Sequence, residues 1–383
     1  MSEETKKAPA IRFQGFTDDW EQRKLGEVFF QTSKYVNPKE SNLELWSLTV
    51  ENGLTPKTER YNREFLVKKE DQFKSVDHNE FIYNPMNMTL GAVDLNLTGK
   101  TVAVSGYYIT MLSKDGFDSK YFSIWLKSPL AIKMYKLYAT GSLIERQRVQ
   151  FPTLSQIKSS VPQIEEQTKI GSFFKQLDDT IALHLCKQRQ LGLLKQRLIK
   201  EILPQSDSTL PHLRFANFRK PWEQHQLKEV LKVNSGRDYK HLNEGNIPVY
   251  GTGGYMLSVD GKLSDVDGIG LGRKGTIDKP QYLKAPFWTV DTLFYLTPSP
   301  NYDIYFLYTL IQNVNWKSMD ESTGVPSLSK SVIERVTLTF PILEEQQKIG
   351  SFFREFDNTI SLHQQKIAHL KALKSTILNK MFI

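Results

Sequence analysis

The residues best suited to catalysis in this chain do not form a recognised catalytic motif. Seven histidines are present, but none has zinc-ligand or triad spacing to its neighbours. No Pro-Asp step occurs, so a common carboxylate motif of nucleases is not evident. The run Asn84-Pro85-Met86-Asn87 faintly resembles the Asn-Pro-Pro-aromatic motif of adenine methyltransferases, but it lacks the second proline and the aromatic residue. No glycine motif for S-adenosylmethionine lies upstream of it, so we reject methyl transfer within this chain.

A glycine cluster could instead bring the backbone close to phosphate. Residues 270–275 match the dinucleotide pattern GxGxxG, but no helical period follows them, and that pattern needs a helix N-terminus for the phosphate. A turn that carries Arg273 and Lys274 fits better. Residues 250–254 form a second turn of small residues, where backbone can approach a phosphate closely. Ordinary hairpin geometry is the alternative for both turns.

Composition sets broad limits on the class of protein. The chain has 383 residues, a net charge of +8 and 39% hydrophobic residues, which predicts two or three folded domains. The basic excess permits a polyanionic partner without proving one. The single cysteine, Cys186, excludes an internal disulfide and a cysteine metal cage. No signal peptide and no run of ~20 apolar residues is present, so we expect no membrane contact and a cytoplasmic location.

Internal repeats define the architecture of the chain. Residues 11–28 recur at 213–230 with nine identities, and residues 162–184 recur at 341–363 with 15 identities in 23 positions. Between them, Tyr121-Phe122 and Thr140-Gly141 correspond to Tyr305-Phe306 and Thr323-Gly324. The offset changes from 202 to 179 residues, so the ends of the unit are alike and its middle differs. This pattern indicates one frame that carries two different specificities.

The two copies of the second repeat, 162–184 and 341–363, each open a long helix. Its apolar residues are spaced alternately by four and three residues, which forms a heptad seam. The apolar seam positions are Ile170, Phe174, Leu177, Ile181, Leu191, Leu198, Ile349, Phe353, Phe356, Ile360, Ile367, Leu370 and Ile377. Lys195 and Lys374 interrupt the seam, and we expect Leu194 and Leu373 to substitute for them. His184 and His363 fit polar, register-setting seam positions better than a metal site.

Two equal seams in one chain most simply face each other. A helix of about 37 residues is ~55 Å long, so antiparallel helices would hold the two modules at opposite ends about a pseudo-twofold axis. The alternative is that each helix packs on its own module. Gly171 and Gly350 are expected to allow close helix approach, and the alternative is that either one marks a bend.

The two modules are predicted to belong to the α+β class. Strand-like runs occur at 81–85, 100–112, 247–251 and 287–296, and segments 119–138 and 302–316 are typical of helices. We therefore expect twisted, mainly antiparallel sheets. The predicted boundaries are a first module at 1–161, a first spacer helix at 162–203, a linker at 204–212, a second module at 213–340 and a second spacer helix at 341–383.

Taken together, these residues resemble the specificity (S) subunit of Type I restriction–modification enzymes. The resemblance rests on Trp20-Glu21 with 25–28, on Trp222-Glu223 with 227–230, on the two Thr-Gly steps, on the Pro-x-x-Glu-Glu-Gln-x-Lys-Ile runs and on the two long helices. It covers essentially the whole chain. Gly26 is replaced by Lys228 in the second copy, so glycine is not required there.

The resemblance implies a fold and a role. It implies two α+β target-recognition domains, pseudo-twofold related and separated by two long antiparallel coiled-coil helices, each reading half of a bipartite site in double-stranded DNA. It implies two methyltransferase (M) subunits and two motor-nuclease (R) subunits as partners in a bacterial or archaeal cytoplasm. The partners would carry S-adenosylmethionine, ATP and magnesium, and this chain would hold no cofactor, no metal and no catalytic centre.

DNA contacts are expected from residues that pair with phosphates or base edges. In the first module the candidates are Asn84, Asn87, Thr89, Thr140, Ser142, Arg146 and Arg148. In the second module they are Arg237, Thr252, Arg273, Lys274, Thr276, Thr323 and Ser327. Each could also be an ordinary solvated or turn residue. Two rival hypotheses remain: an interaction scaffold that binds no DNA, and a self-sufficient nuclease or methyltransferase.

Overall fold

The structure is a computed structural model that describes residues 8–57, 72–141, 147–204 and 210–383. Two compact units make it up. Unit 1 comprises the residues up to 184 together with 366–383, and unit 2 comprises 185–365. Most of the predicted linker, residues 205–209, lies outside the described part of the chain.

The first module is built from short strands and helices, followed by one long helix. Its strands are β1 (Glu21–Lys24), β2 (Phe29–Thr32), β3 (Tyr35–Val36), β4 (Trp46–Thr49), β5 (Gly53–Pro56), β6 (Phe73–Val76), β7 (Phe81–Tyr83), β8 (Val93–Leu95), β9 (Val102–Ser105), β10 (Ile109–Ser113) and β11 (Lys158–Val161). Its helices are α1 (Leu25–Val28), α2 (Pro38–Ser41), α3 (Ser119–Trp125), α4 (Pro129–Tyr138), α5 (Phe151–Leu154) and α6 (Ile164–Ile202).

The second module repeats part of this plan. Its strands are β12 (Glu223–Gln226), β13 (Leu231–Ser235), β14 (Glu244–Gly251), β15 (Gly254–Val259), β16 (Gly268–Gly272), β17 (Gln281–Leu283), β18 (Trp288–Thr289), β19 (Leu293–Pro298) and β20 (Thr337–Phe340). Its helices are α7 (Leu227–Val230), α8 (Ile304–Gln312), α9 (Lys330–Arg335) and α10 (Leu343–Met381).

Each module contains its own antiparallel four-stranded sheet, and the two sheets have the same arrangement of strands. The strand order is β2-β10-β7-β8 in the first module and β13-β19-β16-β17 in the second. A two-stranded pair, β1-β11 or β12-β20, joins the start of each module to its end. The frame is therefore common to both modules, and it includes strands whose sequences show no recognisable repeat.

The remaining strands differ between the modules. The first module adds the antiparallel sheet β3-β6-β9 and the hairpin β4-β5, and the second adds β15-β14-β18, in which β14 and β18 run parallel. These additional sheets have their own small cores, around Val76 and Val104 in one module and around Val249 and Val259 in the other. Most apolar residues of the frame pack into the two large cores that also contain the long helices, whereas Ile82 of β7 and Leu293 of β19 join the small cores.

Three sequence-based elements are each divided in the structure. The run 100–112 forms the two strands β9 and β10, and the run 287–296 contributes to β18 and β19. The segment 119–138 is two helices, because Ser128 accepts a hydrogen bond from the amide of Ala131 and Pro129 occupies the first turn, which together begin a new helix. The segment 302–316 becomes α8, with a 3-10 turn starting at Trp316.

The internal repeat around α3 and α8 was predicted one residue out of register. Asp118 caps α3 by accepting from the amide of Tyr121, and Asp303 caps α8 by accepting from the amide of Phe306. Tyr121 therefore corresponds to Phe306, not to Tyr305. The Tyr-Phe pairs are identical in sequence but not equivalent in structure, because the capping aspartate defines where each helix starts.

An arginine–glutamate pair ties each module's N-terminal segment to its long helix. Arg12 donates from Nε and Nη2 to the two carboxylate oxygens of Glu166, each at 2.8 Å. Arg214 makes the same bidentate contact with Glu345 at 2.7 Å. Both glutamates are buried, and the hydrogen bonds that Arg12 donates to Glu166 raise the pKa of Arg12. Such paired charges in a buried setting fix geometry as well as adding stability.

The long helices α6 and α10 have 39 residues each. In unit 1, Ile170 and Phe174 of α6 share a core with Ile367 and Leu370 of α10. In unit 2, Ile199 and Ile202 of α6 share a core with Ile349 and Phe353. Because the start of one helix packs with the end of the other in both units, the pairing is antiparallel within each unit.

The seam positions are buried or half-buried along both helices. The buried ones are Ile170, Phe174, Leu177, Ile181, Ile349, Phe353, Ile367 and Leu370, and the half-buried ones are Leu191, Leu198, Phe356, Ile360 and Ile377. His184 and His363 are half-buried.

The expectation that leucines replace the two seam lysines is wrong. Leu194 is 47% exposed and Leu373 is 40% exposed. Lys195 stays in the seam and places Nζ 2.6 and 2.7 Å from the Asp357 carboxylate oxygens. Lys374 does the same with Asp178. A lysine is tolerated there because its aliphatic stem packs in the seam while its charge is neutralised by the facing helix.

The two helix glycines allow close approach, as expected. A Cβ on Gly171 would lie 2.7 Å from the amide nitrogen of Tyr121 and 2.8 Å from the Asp118 carboxylate. A Cβ on Gly350 would collide with Asp303 in the same way. Each glycine therefore seats the capped end of a module helix, α3 or α8, against the long helix.

Candidate nucleic-acid interface

In the first module, several predicted DNA-contact residues lie on the connection that follows β7. The Asn84 side-chain oxygen accepts from the Met86 amide at 3.0 Å, which forms an Asx turn. Asn87 is exposed, and Thr89 is half-buried in the 3-10 turn that follows. The Asn-Pro run is thus a structural turn that leaves Asn87 exposed to solvent.

A second loop of the first module meets this turn. Thr140 and Arg148 form an isolated antiparallel bridge, with the Thr140 amide 3.0 Å from the Arg148 carbonyl. The amide of Val149 donates to the carbonyl of Pro85 at 2.9 Å. Thr140 and Arg148 are both exposed. Ser142 and Arg146 lie outside the described residues. We call the described parts of these two loops, residues 84–91, 139–141 and 147–149, the first loop surface.

In the second module, the glycine cluster forms the corresponding connection, the one that follows β16. Gly270 and Gly272 belong to β16, Gly275 has a φ of +86°, and the next regular element is the strand β17. No helix follows, so the pattern is not a dinucleotide fingerprint. Arg273 and Lys274 are exposed in this turn. The Arg273 guanidinium lies over the ring of Phe294 at 5.8 Å, and Thr276 is half-buried.

The Thr-Gly loop of the second module also meets its partner turn. Gly275 donates its amide to the Pro326 carbonyl at 2.8 Å, and Lys274 forms a bridge with Ser327. Thr323 is exposed in the same loop. The amide of Ser327 and the hydroxyl and amide of Ser322 donate to Asp320 and lower its pKa.

The hairpin turn between β14 and β15 completes this surface. Gln281 donates from Nε2 to the carbonyls of Gly251 at 2.9 Å and Thr252 at 3.2 Å, which fixes the turn beside Gly275. Arg237 is exposed near the same strands, with its amide bonded to the Thr289 carbonyl. We call the turns 251–254 and 273–276 and the loop 320–328 the second loop surface.

The two loop surfaces occupy the same place on the common frame. In both modules the connection between the third and fourth strands of the shared sheet, in sheet order, contacts the Thr-Gly loop. Sequence reasoning selected residues on both sides without recognising that Asn84 and Arg273 follow equivalent strands. It also missed Gln281 and Asp320, which position the second surface. An aspartate shortly before a Ser-Thr-Gly run is a turn signal that could have indicated Asp320.

Features of other site types are lacking in the described residues. The described part of the chain contains no group of three or more His, Cys, Asp or Glu residues placed to hold a metal ion. Among the same residues, no helix is long and apolar enough to cross a bilayer.

Comparison with known proteins identifies the family. The model of the Type I restriction modification DNA specificity domain matches residues 17–192 and again residues 219–372. These matches cover most of the chain, so it belongs to this family and contains two copies of the domain. The resemblance predicted from the sequence and the α+β fold with two repeated modules are confirmed.

Individual relatives agree with this assignment. The Type I restriction enzyme MjaVIII specificity subunit of Methanocaldococcus jannaschii is 32% identical over 81 residues, which is 21% of this chain. The match spans 19% of that protein, about a fifth of its length. The S subunit of a Type I restriction–modification system from M. genitalium superimposes with a TM-score of 0.73 at 17% identity, over 98% of this chain and 99% of that one.

A second solved chain has a more distant fold similarity. It comes from a study of complex assembly and conformational transition of the type I R-M system, and it matches with a TM-score of 0.51 at 15% identity. It covers 94% of this chain and 97% of that one. At these identities the two solved chains show a shared fold.

Proposed function

We propose that this chain is the DNA-reading subunit of a Type I restriction–modification complex, and that each loop surface reads one half of a bipartite site in double-stranded DNA. The observation that carries the proposal is the placement of two chemically different loop surfaces on one repeated frame. The first surface presents Asn87 beside Thr89, and the second presents Arg273 beside Lys274. Asparagine pairs with adenine edges and arginine with guanine edges, so the two modules would select different half-sites.

The residues predicted to contact DNA are proposed to divide into base readers and phosphate contacts. The full set is Asn84, Asn87, Thr89, Thr140, Ser142, Arg146, Arg148, Arg237, Thr252, Arg273, Lys274, Thr276, Thr323 and Ser327. Because the Asn84 oxygen is already used within its turn, Asn87 is the stronger base-reading candidate in the first module. Arg273 has the same role in the second module, since its guanidinium is exposed and supported by the Phe294 ring.

Partner subunits are proposed to supply the chemistry. Two methyltransferase subunits with S-adenosylmethionine would methylate adenine, and two motor-nuclease subunits with ATP and magnesium would translocate and cleave. This chain would direct them without a catalytic centre of its own, in the cytoplasm of a bacterium or archaeon. Support comes from the family match and from relatives that are themselves specificity subunits.

The long helices are proposed to set the gap between the half-sites. Each helix begins in one unit and ends in the other, and its seam continues in both. Inserting one heptad after Gln188 and another after Ile367 preserves both seams and lengthens each helix by ~10 Å. The preferred gap should then widen by about three base pairs at ~3.4 Å each. An unchanged gap would show that the helices are not the spacer.

The most direct experiment maps methylated adenines genome-wide with and without this gene. A bipartite motif that disappears on deletion supports the proposal, and an unaltered pattern contradicts it. Exchange of residues 213–340 for another family member's module should then change one half of the motif and leave the other half intact. Methylation or cleavage by the purified chain alone, with S-adenosylmethionine or magnesium, would instead establish a self-sufficient enzyme.

Point variants test the loop surfaces. With the methyltransferase complex bound to its motif, Arg273→Ala should weaken binding by about 1–3 kcal/mol and relax one base preference. Lys274→Ala should weaken binding evenly across sequences and reduce the salt dependence by about one phosphate contact. Lys228→Ala, on the exposed side of α7 in the frame, is the control that should change neither. A complex that binds no DNA selectively at any salt concentration would favour the scaffold hypothesis.

A further inference from the structure

The packing beside the long helices includes a tyrosine cluster in unit 2 that unit 1 lacks. In unit 2, three tyrosines pack together: the rings of Tyr282 and Tyr305 lie 5.1 Å apart, and Tyr308 lies 5.6 Å from each of them. The Tyr305 hydroxyl donates to the Asp357 carboxylate at 2.7 Å, next to the Lys195 ammonium. Burial raises the pKa of Tyr305, so its phenol remains a donor at neutral pH.

The equivalent positions of unit 1 follow from strand pairing and from the helix caps. Leu95 pairs with Phe81 of β7 as Tyr282 pairs with Ile269 of β16, so Leu95 corresponds to Tyr282. The capping residues Asp118 and Asp303 place Lys120 where Tyr305 stands. The same count along the helix places Ser123 where Tyr308 stands. All three aromatic rings are therefore missing from unit 1.

A cavity of about 360 Å³ occupies this place in unit 1. Leu95, Lys120 and Ser123 line it, together with Ile124, Lys175 and Leu378. Asp178, the counterpart of Asp357, lies in the same wall. Its volume is within the range of small-molecule pockets, ~300–1,000 Å³.

The tyrosine cluster of unit 2 indicates what kind of ligand the cavity of unit 1 can hold. A ring in the position of Tyr305 would lie against Leu95 and beneath Lys175, which replaces Arg354, the cation that lies 6.0 Å from the Tyr305 ring. A phenol hydroxyl would face Asp178, which already accepts from Lys374. The cavity is also lined by Lys120, an exposed cation at the position that Tyr305 occupies in unit 2.

The structure assigns to unit 1 a binding site for a small phenolic acid, whose hydroxyl donates to Asp178 and whose anionic group pairs with Lys120. Three of the four lysines that line the cavity are already paired with carboxylates: Lys127 with Asp94, Lys175 with Asp179 and Lys374 with Asp178. Lys120 is the cation for the ligand. The bound ligand would share Asp178 with the ion pair that joins α6 to α10 in unit 1, so binding should raise the stability of that unit.

Ligand-observed NMR with the full-length chain tests this site, with 4-hydroxyphenylacetate as the probe. We expect saturation transfer to its ring protons, at least tenfold weaker binding of phenylacetate, which lacks the donor, and at least tenfold weaker binding of tyramine, which lacks the anion. The triple variant Leu95→Tyr, Lys120→Tyr and Ser123→Tyr rebuilds the unit 2 packing and should abolish transfer. Lys228→Met removes an exposed lysine of α7 in unit 2, outside the cavity, and is the control that should leave binding unchanged.

Further variants keep the test independent of folding defects. Lys120→Met preserves the cavity and removes the cation, so it should weaken binding about tenfold while thermal unfolding in the absence of probe stays unchanged. Saturable binding that is unaltered by both the triple variant and Lys120→Met would place the probe elsewhere and overturn the assignment. Absence of saturable binding to the wild-type chain at millimolar probe would also overturn it.

Discussion

Removal of the Lys195 charge should loosen the helix pair of unit 2 far more than removal of Lys374 loosens that of unit 1. The Lys195 side chain is only 10% exposed, and its partner Asp357 is 29% exposed. The corresponding values for Lys374 and Asp178 are 27% and 43%. Loss of one partner from a buried pair costs about 3–5 kcal/mol, whereas an exposed pair contributes about 0–1 kcal/mol.

The magnitude for Lys195→Met lies between these limits. Asp357 keeps a hydrogen bond from Tyr305 and some contact with water, so we expect a loss of about 2 kcal/mol. For Lys374→Met we expect about 0.5 kcal/mol, because solvent already screens that pair. The first figure corresponds to an about 30-fold larger open population of the helix pair in unit 2, and hence to about 30-fold faster exchange of its amides.

Hydrogen exchange measured by mass spectrometry on helix peptides is the appropriate assay. Two compact units need not unfold in one transition, so a single global midpoint would mix their stabilities. The peptides that cover 189–202 and 350–362 report on unit 2. The double variant Lys195→Met with Asp357→Leu should recover most of the loss, because no unpaired charge remains. Equal effects of Lys195→Met and Lys374→Met, or a change below about 0.5 kcal/mol for Lys195→Met, would refute the reasoning.

Three further changes have defined outcomes. Gly171→Ala should destabilise unit 1 by about 2 kcal/mol, because its Cβ meets the Tyr121 amide. Gly192→Ala has open space around it and should stabilise α6 by up to ~1 kcal/mol. Hydrogen exchange of peptides that cover α3 and 189–202 checks both effects. Phe382→Ala should cost unit 1 about 3 kcal/mol, measured as faster exchange in α3, because that buried ring packs on Tyr121 at 5.8 Å. The pKa of Asp320 is lowered in the folded loop, so its contribution is present above the ordinary carboxylate pKa and is lost as pH falls through the lowered value. Amide shifts of residues 320–328 should therefore move below about pH 4, and should not in Asp320→Asn.

The frame could be predicted from the sequence where it repeats. The two seams and the glycines on the long helices follow from spacing alone, because helical geometry converts a heptad into a face. The error at Lys195 has a physical cause: a charge in an apolar seam is tolerated only with a partner. That partner, Asp357, is 162 residues away in sequence. No local pattern reveals such a pair.

The loop surfaces were only partly predictable. Exposed Asn87 and Arg273 could be selected from residue type, but their equivalent placement depends on strand order. The strands β7 and β16 share their position in the sheet without sharing a recognisable sequence. The cavity of unit 1 could not be predicted from the sequence. It exists because unit 1 lacks three tyrosines of unit 2, and the equivalent positions can be identified only from strand pairing and the helix caps.

The separate small cores beneath the additional sheets have an evolutionary consequence. Substitutions around Val104 or Val249 disturb a minor cluster and spare the large cores that contain Trp125 and Trp316. Substitutions in the additional sheets should therefore have little effect on the stability of the rest of each module. Substitutions can therefore accumulate in the additional sheets without disturbing the cores that hold the shared frame together.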